Sequence, residues 1–362
     1  MEFDFHRCAF AKSRRDRRAI TLNLVLLAAV VLNLAGAASA QEQASPSIGW
    51  NVTIVLPPRL MAGHAATLAV LDVDGKLAPG VHVELSGGDT VVTDRTGRAA
   101  FKAPANHDYV VARSSGATAA ALIDPAVAEN DAKPMTPSIA STSDRFWVCG
   151  AGLQGKADED SVQIDGENAP VIAASPVCIV TLPPRGVKPG PAKLSVDAPG
   201  VEWTTTTTLV SLQFTPPQPA LKANEKGRIL IAASGSTEKL QIALTNGTPG
   251  VLKFEGGDMQ ELLTSGGSPN SAAVRVQAIS SGDFSFSARL LPAQNPALAK
   301  RFLQAAEPLA PKEMRHKLST LARRLERRPQ DVLAIRAELD RIKTSSTDSD
   351  LSVLLEGARD VL

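Results

Sequence analysis

The feature that most constrains this chain is a change of hydrophobic period near Asn295. From about Ile48 to Leu291, turn signals such as Asp74-Gly75, Pro79-Gly80, Gly87-Gly88, Asn246-Gly247 and Pro249-Gly250 recur, and several segments between them alternate in polarity. Such a pattern dictates short strands joined by tight turns. After Asn295 the turn dipeptides stop. Met314, Leu318, Leu321 and Leu325 then recur at helical spacing, as do Val332, Ile335, Leu339 and Ile342 after Pro329. Those spacings line one face of a helix with apolar side chains. The expected fold is mainly β: tandem sandwiches followed by a C-terminal α-helical tail.

The N-terminus carries a different signal. Arg7, Lys12, Arg14, Arg15, Arg17 and Arg18 precede an uncharged run from Ile20 to Gly36, which closes on Ala38-Ser39-Ala40. A basic region, an apolar core and small residues before a cleavage point describe an export signal spanning 1–40. Cleavage after Ala40 would release a periplasmic or secreted chain beginning at Gln41. Retention of the apolar run would leave a membrane anchor instead, and that is the sole route to the membrane the sequence offers.

About 320 mature residues exceed a single small core, so several domains are expected. The first runs from 48 to 122, with strands expected at Trp50 to Val55, Ala66 to Leu71, Val81 to Leu85, Thr90 to Thr93, Ala99 to Lys102 and Tyr109 to Arg113. Within it Pro79-Gly80 and the Thr93-Asp94, Gly97, Ala99 turn resemble bacterial Ig-like and carboxypeptidase-regulatory-like modules. The second, at 137–214, opens on Pro137-Ser138-Ile139 and carries Gly150, Gly152-Leu153 and Gly155, then Asp165-Gly166 and Pro189-Gly190. This order is similar to an IPT/TIG domain, which implies an immunoglobulin-like sandwich of the kind found in cell-surface receptors. The third, at 220–292, resembles no named family, and its strand spacing points to another sandwich. Proline-rich stretches at 124–137 and 216–219 suggest linkers and a semi-extended rod.

Cys8 falls in the signal, which leaves Cys149 and Cys178 in the mature chain. In an exported protein an even pair is most simply a disulfide, with two free buried thiols as the alternative. On the chain-entropy model the bridge would contribute roughly 3–4 kcal/mol. The tail at 295–362 is read as two amphipathic helices broken near Pro329 and a third beginning at Asp348. Its first helix concentrates Lys312, Arg315, Lys317, Arg323, Arg324, Arg327 and Arg328 against Glu313 and Glu326. That set is the candidate interaction surface for an anionic lipid, a polysaccharide or an acidic protein, unless it is simply a solvated helix face.

Little in the sequence suggests catalysis. Phosphate-loop, zinc-protease and esterase-elbow motifs are absent. Ser236-Thr237-Glu238-Lys239 has the Ser-x-x-Lys spacing of penicillin-recognising enzymes but stands at a turn between expected strands. His64, His82, His107 and His316 are dispersed, and Asp72-Val73-Asp74-Gly75 opens like a calcium loop without the later ligands. No cofactor and no metal is expected. A net charge of +1 gives no field for nucleic acid. Trp50, Trp147 and Trp203 are the only candidate stacking platforms, with core packing as their commoner fate. Thr204 to Thr208 is expected to form a strand.

These features suggest an exported, non-catalytic multidomain sandwich protein that presents protein-interaction or adhesion surfaces to an envelope or extracellular protein. The alternative is a carbohydrate- or envelope-polysaccharide-binding protein, which needs a tryptophan accessible on a sheet face. An unrecognised enzyme would need carboxylates or histidines converging in a cleft between modules.

Overall fold

The computed structural model describes residues 52–125, 134–217, 221–291, 295–327 and 332–362. The expected signal at 1–40, Trp50 and Arg328 lie outside these residues. The described chain is mainly β, with immunoglobulin-like sandwiches in tandem and four helices after them.

The first sandwich comprises β1 (Thr53–Val55), β2 (Arg59–Met61), β3 (Ala65–Leu71), β4 (His82–Leu85), β5 (Thr90–Val92), β6 (Arg98–Lys102), β7 (Tyr109–Ser114) and β8 (Ala117–Asp124). One layer has the order β2-β8-β7-β4-β5; the other pairs β3 with both β1 and β6. Alternation fixes the faces: in β4, Val83 and Leu85 are buried while His82 and Glu84 are exposed. Leu60, Leu68, Val83 and Val110 fill the space between the layers.

The second sandwich uses β9 (Ile139–Ser141), β10 (Phe146–Cys149), β11 (Ser161–Ile164), β12 (Glu167–Ala169), β13 (Val171–Ala174), β14 (Cys178–Thr181), β15 (Gly190–Ala198) and β16 (Val201–Thr215). The five threonines lie on β16, as expected. The third adds β17 (Lys226–Ser234), β18 (Gln241–Asn246), β19 (Leu252–Phe254), β20 (Met259–Leu263), β21 (Asn270–Ala278) and β22 (Phe286–Leu290). Phe254, Ile229, Ile242 and Val276 lie in its core.

The expected linkers at 124–137 and 216–219 lie partly outside the described residues, and the modules on either side of each are joined through shared sheets. Ala174 of β13 pairs with Thr67 of β3, so one six-stranded sheet runs through the first and second sandwiches. Thr67 Oγ1 donates to Gly155 O at 2.8 Å, Arg98 Nη2 to Val171 O at 2.7 Å and Ser175 Oγ to Arg59 O at 2.7 Å across the same seam. Val55, Ala69, Leu71, Ile172, Ala173 and Val180 form a separate apolar cluster on that sheet. Between the second and third sandwiches the 15-residue β16 pairs with β15 through its first half and with β17 through its end.

The tail forms α1 (Pro296–Ala306), α2 (Lys312–Arg327), α3 (Val332–Thr344) and α4 (Ser349–Asp360). Asn295 Oδ1 accepts from Leu298 N at 2.9 Å and caps α1; Asp348 Oδ1 accepts from Leu351 N at 2.9 Å and caps α4, the start expected from sequence. Helix α1 is an addition to the expected set. Leu298, Phe302, Leu318, Leu321, Ile335, Leu339, Leu354 and Leu355 share one core, which also takes in Leu122, Tyr109 and Ala120 of the first sandwich.

Polar contacts repeat that docking. Asp124, buried, is held by Arg59 at 2.6 Å and by Arg301 of α1, while Arg113 of β7 pairs with Asp350 of α4. On the opposite flank Arg336 of α3 and Arg359 of α4 reach Glu261 of β20 at 3.2 and 2.7 Å, and Arg289 of β22 pairs with Asp360 at 2.8 Å. The tail is thus a bracket between the first and third sandwiches.

Candidate functional site

Helix α2 exists because Leu318, Leu321, Ala322 and Leu325 fall on one buried face. That geometry turns the basic residues outward, and the structure divides them by use. Arg315 donates from Nε to Ala310 O at 2.8 Å and from Nη2 to Pro308 O at 3.1 Å, closing carbonyls of the preceding turn. Arg324 pairs with Glu338 of α3 at 3.0 Å. Arg323 donates to Ser319 O within its own helix at 3.3 Å. Lys312, Lys317 and Arg327 are exposed and have no ion-pair partner among the described residues. Glu326 is engaged by Lys300 at 3.2 Å. At 100° per residue, Lys312, Arg323 and Arg327 fall on one outward strip about 20 Å long.

A second feature is a cleft between modules, the setting in which an unrecognised enzyme would need carboxylates or histidines to converge; Asp144, Glu356 and Asp360 line it. A cavity of about 480 Å³ opens where all four parts of the chain meet. Ile54 and Ala119 of the first sandwich, Trp147 and Val180 of the second, Leu290 of the third and Phe302 of the tail supply apolar wall. Its charged lining comes in pairs: Arg289 with Asp360 at 2.8 Å, Arg145 with Asp144 at 3.6 Å, and Lys343 with Glu356. Burial opposes the charge on Arg289, but Asp360, followed by Asp144 and Glu356, outweighs it and raises its pKa. Sequence spacing offers no signal for this cavity, because its walls come from segments more than 300 residues apart at the extremes.

Other singled-out residues take structural positions. Cys149 and Cys178 form a disulfide between directly opposed residues of β10 and β14, both buried. Trp203 packs on Gly150, where an added Cβ would stand 3.1 Å from the indole. Trp147 is half-buried and lines the cavity. Asp72 Oδ1 accepts from the backbone of Asp74 and Lys76, each at 2.9 Å, and closes a hairpin. Ser236 Oγ accepts from Glu238 N at 3.1 Å in the loop between β17 and β18, away from any helix. His64 contacts Ala62 O at 2.9 Å. Among the described residues no group of three or more His, Cys, Asp or Glu could hold a metal, and no helix is long and apolar enough to cross a membrane.

No family model matches the sequence, and no curated protein matches it. Among solved structures, the full extracellular region of plexin A4 is 13% identical over 66% of this chain and 23% of that chain, with a TM-score of 0.25. The mixed-linkage glucan utilization protein SGBP-B of Bacteroides ovatus, in complex with a mixed-linkage heptasaccharide, is 11% identical over 65% of this chain and 72% of that chain, with a TM-score of 0.22. The I9–I11 tandem of titin is 9% identical over 67% of this chain and 96% of that chain, with a TM-score of 0.19. The chain spans under a quarter of the plexin chain, and at these scores none of the three bears on ligand or activity.

Proposed function

We propose that this chain is an exported, non-catalytic, multidomain β-sandwich protein that presents a protein-interaction surface at the cell envelope. In this reading residues 137–214 are an IPT/TIG-like domain and residues 48–122 an Ig-like or carboxypeptidase-regulatory-like module, and the partner is an acidic envelope or extracellular protein. The observation that carries the proposal is the outward strip of α2: Lys312, Arg323 and Arg327 lie on one line of a helix whose opposite face is locked into the molecule. A rigid row of cations with no ion-pair partner among the described residues steers an acidic partner and is free to contact it.

The test is a triple charge reversal, Lys312→Glu, Arg323→Glu and Arg327→Glu, in the full mature chain. An acidic protein recovered from envelope extract by the unaltered chain should associate about tenfold more slowly with the triple variant, and its binding to the unaltered chain should weaken with salt. Equal association rates for the two chains would refute the assignment of this face.

A further inference from the structure

The geometry points to the junction cavity as a binding site for a neutral, hydroxyl-rich ligand with one apolar face, a mono- or disaccharide. Its volume of about 480 Å³ lies within the roughly 300–1,000 Å³ of small-molecule sites, and it stands where domains meet, where such sites concentrate. Charge selects the ligand class. Among the described lining residues each cation already faces an anion: Arg289 and Asp360, Arg145 and Asp144, Lys343 and Glu356. An ionic ligand would leave one of these groups, or itself, uncompensated in a partly desolvated space.

Hydroxyl groups meet no such penalty. They donate to carboxylate oxygens that retain free lone pairs and accept from guanidinium N–H groups not used in the pairs. The side chains of these six residues keep between 27 and 40% of their accessibility, so they are neither sealed in the core nor lost to bulk solvent. In the same lining Trp147 and Val180, cross-strand partners on β10 and β14, supply a flat apolar wall against which a sugar ring can lie. The polar rim and the indole are supplied together by the second sandwich, the third sandwich and the tail, so the site exists only in the assembled molecule.

The proposal does not rest on the basic strip of α2, and failure of either leaves the other standing. The experiment is calorimetric titration of the full mature chain with maltose, cellobiose, lactose and sucrose, with glucuronic acid and glucosamine for comparison. Saturable binding of at least one neutral disaccharide at millimolar concentration is expected. Trp147→Phe should weaken it about three- to tenfold, while Trp203→Phe leaves it unchanged. Asp144→Asn frees Arg145, so that variant should gain affinity for glucuronic acid. Absence of saturable binding by all four neutral disaccharides overturns the proposal. Stronger binding of glucuronic acid or glucosamine than of any neutral sugar by the unaltered chain, or no effect of Trp147→Phe, also overturns it.

Discussion

Asp160 shows how far one buried side chain departs from its surface behaviour. It is 7% exposed, and burial pushes its pKa up to about 7, against the hydrogen bond from Gln154 N and with help from the charge of Glu159. The folded chain therefore keeps a proton that the unfolded chain has already released between the ordinary value of 3.8 and about 7. Stability contributed by this group falls as pH rises through that window, and the full cost is felt above it. Asp160→Asn retains an oxygen to accept from Gln154 N and removes the charge. The variant should be about 2–4 kcal/mol more stable than the parent at about pH 8 and nearly equal to it at about pH 4, read from urea midpoints. Equal midpoints at the higher pH would show that Asp160 is ionised without cost. Nothing in the sequence around Gln154 to Asp160 distinguishes this aspartate from its neighbours Asp158 and Glu159, both exposed, because its burial is set by the fold of the loop.

Among elements, the glycines of the second module separate what a sequence discloses from what it hides. Gly150, Gly152 and Gly155 mark a turn by their spacing, and Gly152 indeed takes a left-handed φ of +80°. Gly155 serves another purpose: a Cβ there would stand 2.0 Å from Ala65 O, so it is glycine because the first sandwich lies against its backbone. Gly155→Ala should cost about 1–3 kcal/mol in thermal or urea unfolding, by forcing the two sandwiches apart at the Thr67 bond. An unchanged midpoint would mean the seam is looser than the structure has it. The strands with clean alternation, such as β4 and β6, are readable within a residue or two, and so is the cap at Asp348. By contrast β2, β8 and β20 carry no such alternation. β8 is an alanine-rich run whose second half is buried on both faces, by its own sandwich and by the tail, and β20 buries neither face fully. Helix α1 was obscured for a related reason, since its stripe of Leu298, Phe302 and Leu303 is padded by alanines that carry little periodic signal.

At the scale of the whole molecule the tail is a structural member. Removing residues 295–362 would uncover Leu122, Tyr109 and Ala120 and leave Asp124, Arg113 and Glu261 without the partners they have in the tail. A chain ending at Gln294 should therefore bind a hydrophobic dye and self-associate on size-exclusion chromatography, whereas the same chain carried through to Leu362 should do neither. A monomeric, dye-silent truncation would show that the sandwiches do not need the bracket. The sequence disclosed that the tail is helical and amphipathic, but its docking depends on pairs such as Arg113 with Asp350, 237 residues apart, which no local pattern records. The continuity of β16 has a mechanical consequence. At about 3.3 Å per residue the strand is a shaft of about 50 Å common to two sandwiches. With no hinge along its paired length, a twist applied to one sandwich is delivered to the other. A pull along its axis loads the rungs of both ladders together in shear, so force reaching one end of the molecule is transmitted onward before it is dissipated by unfolding.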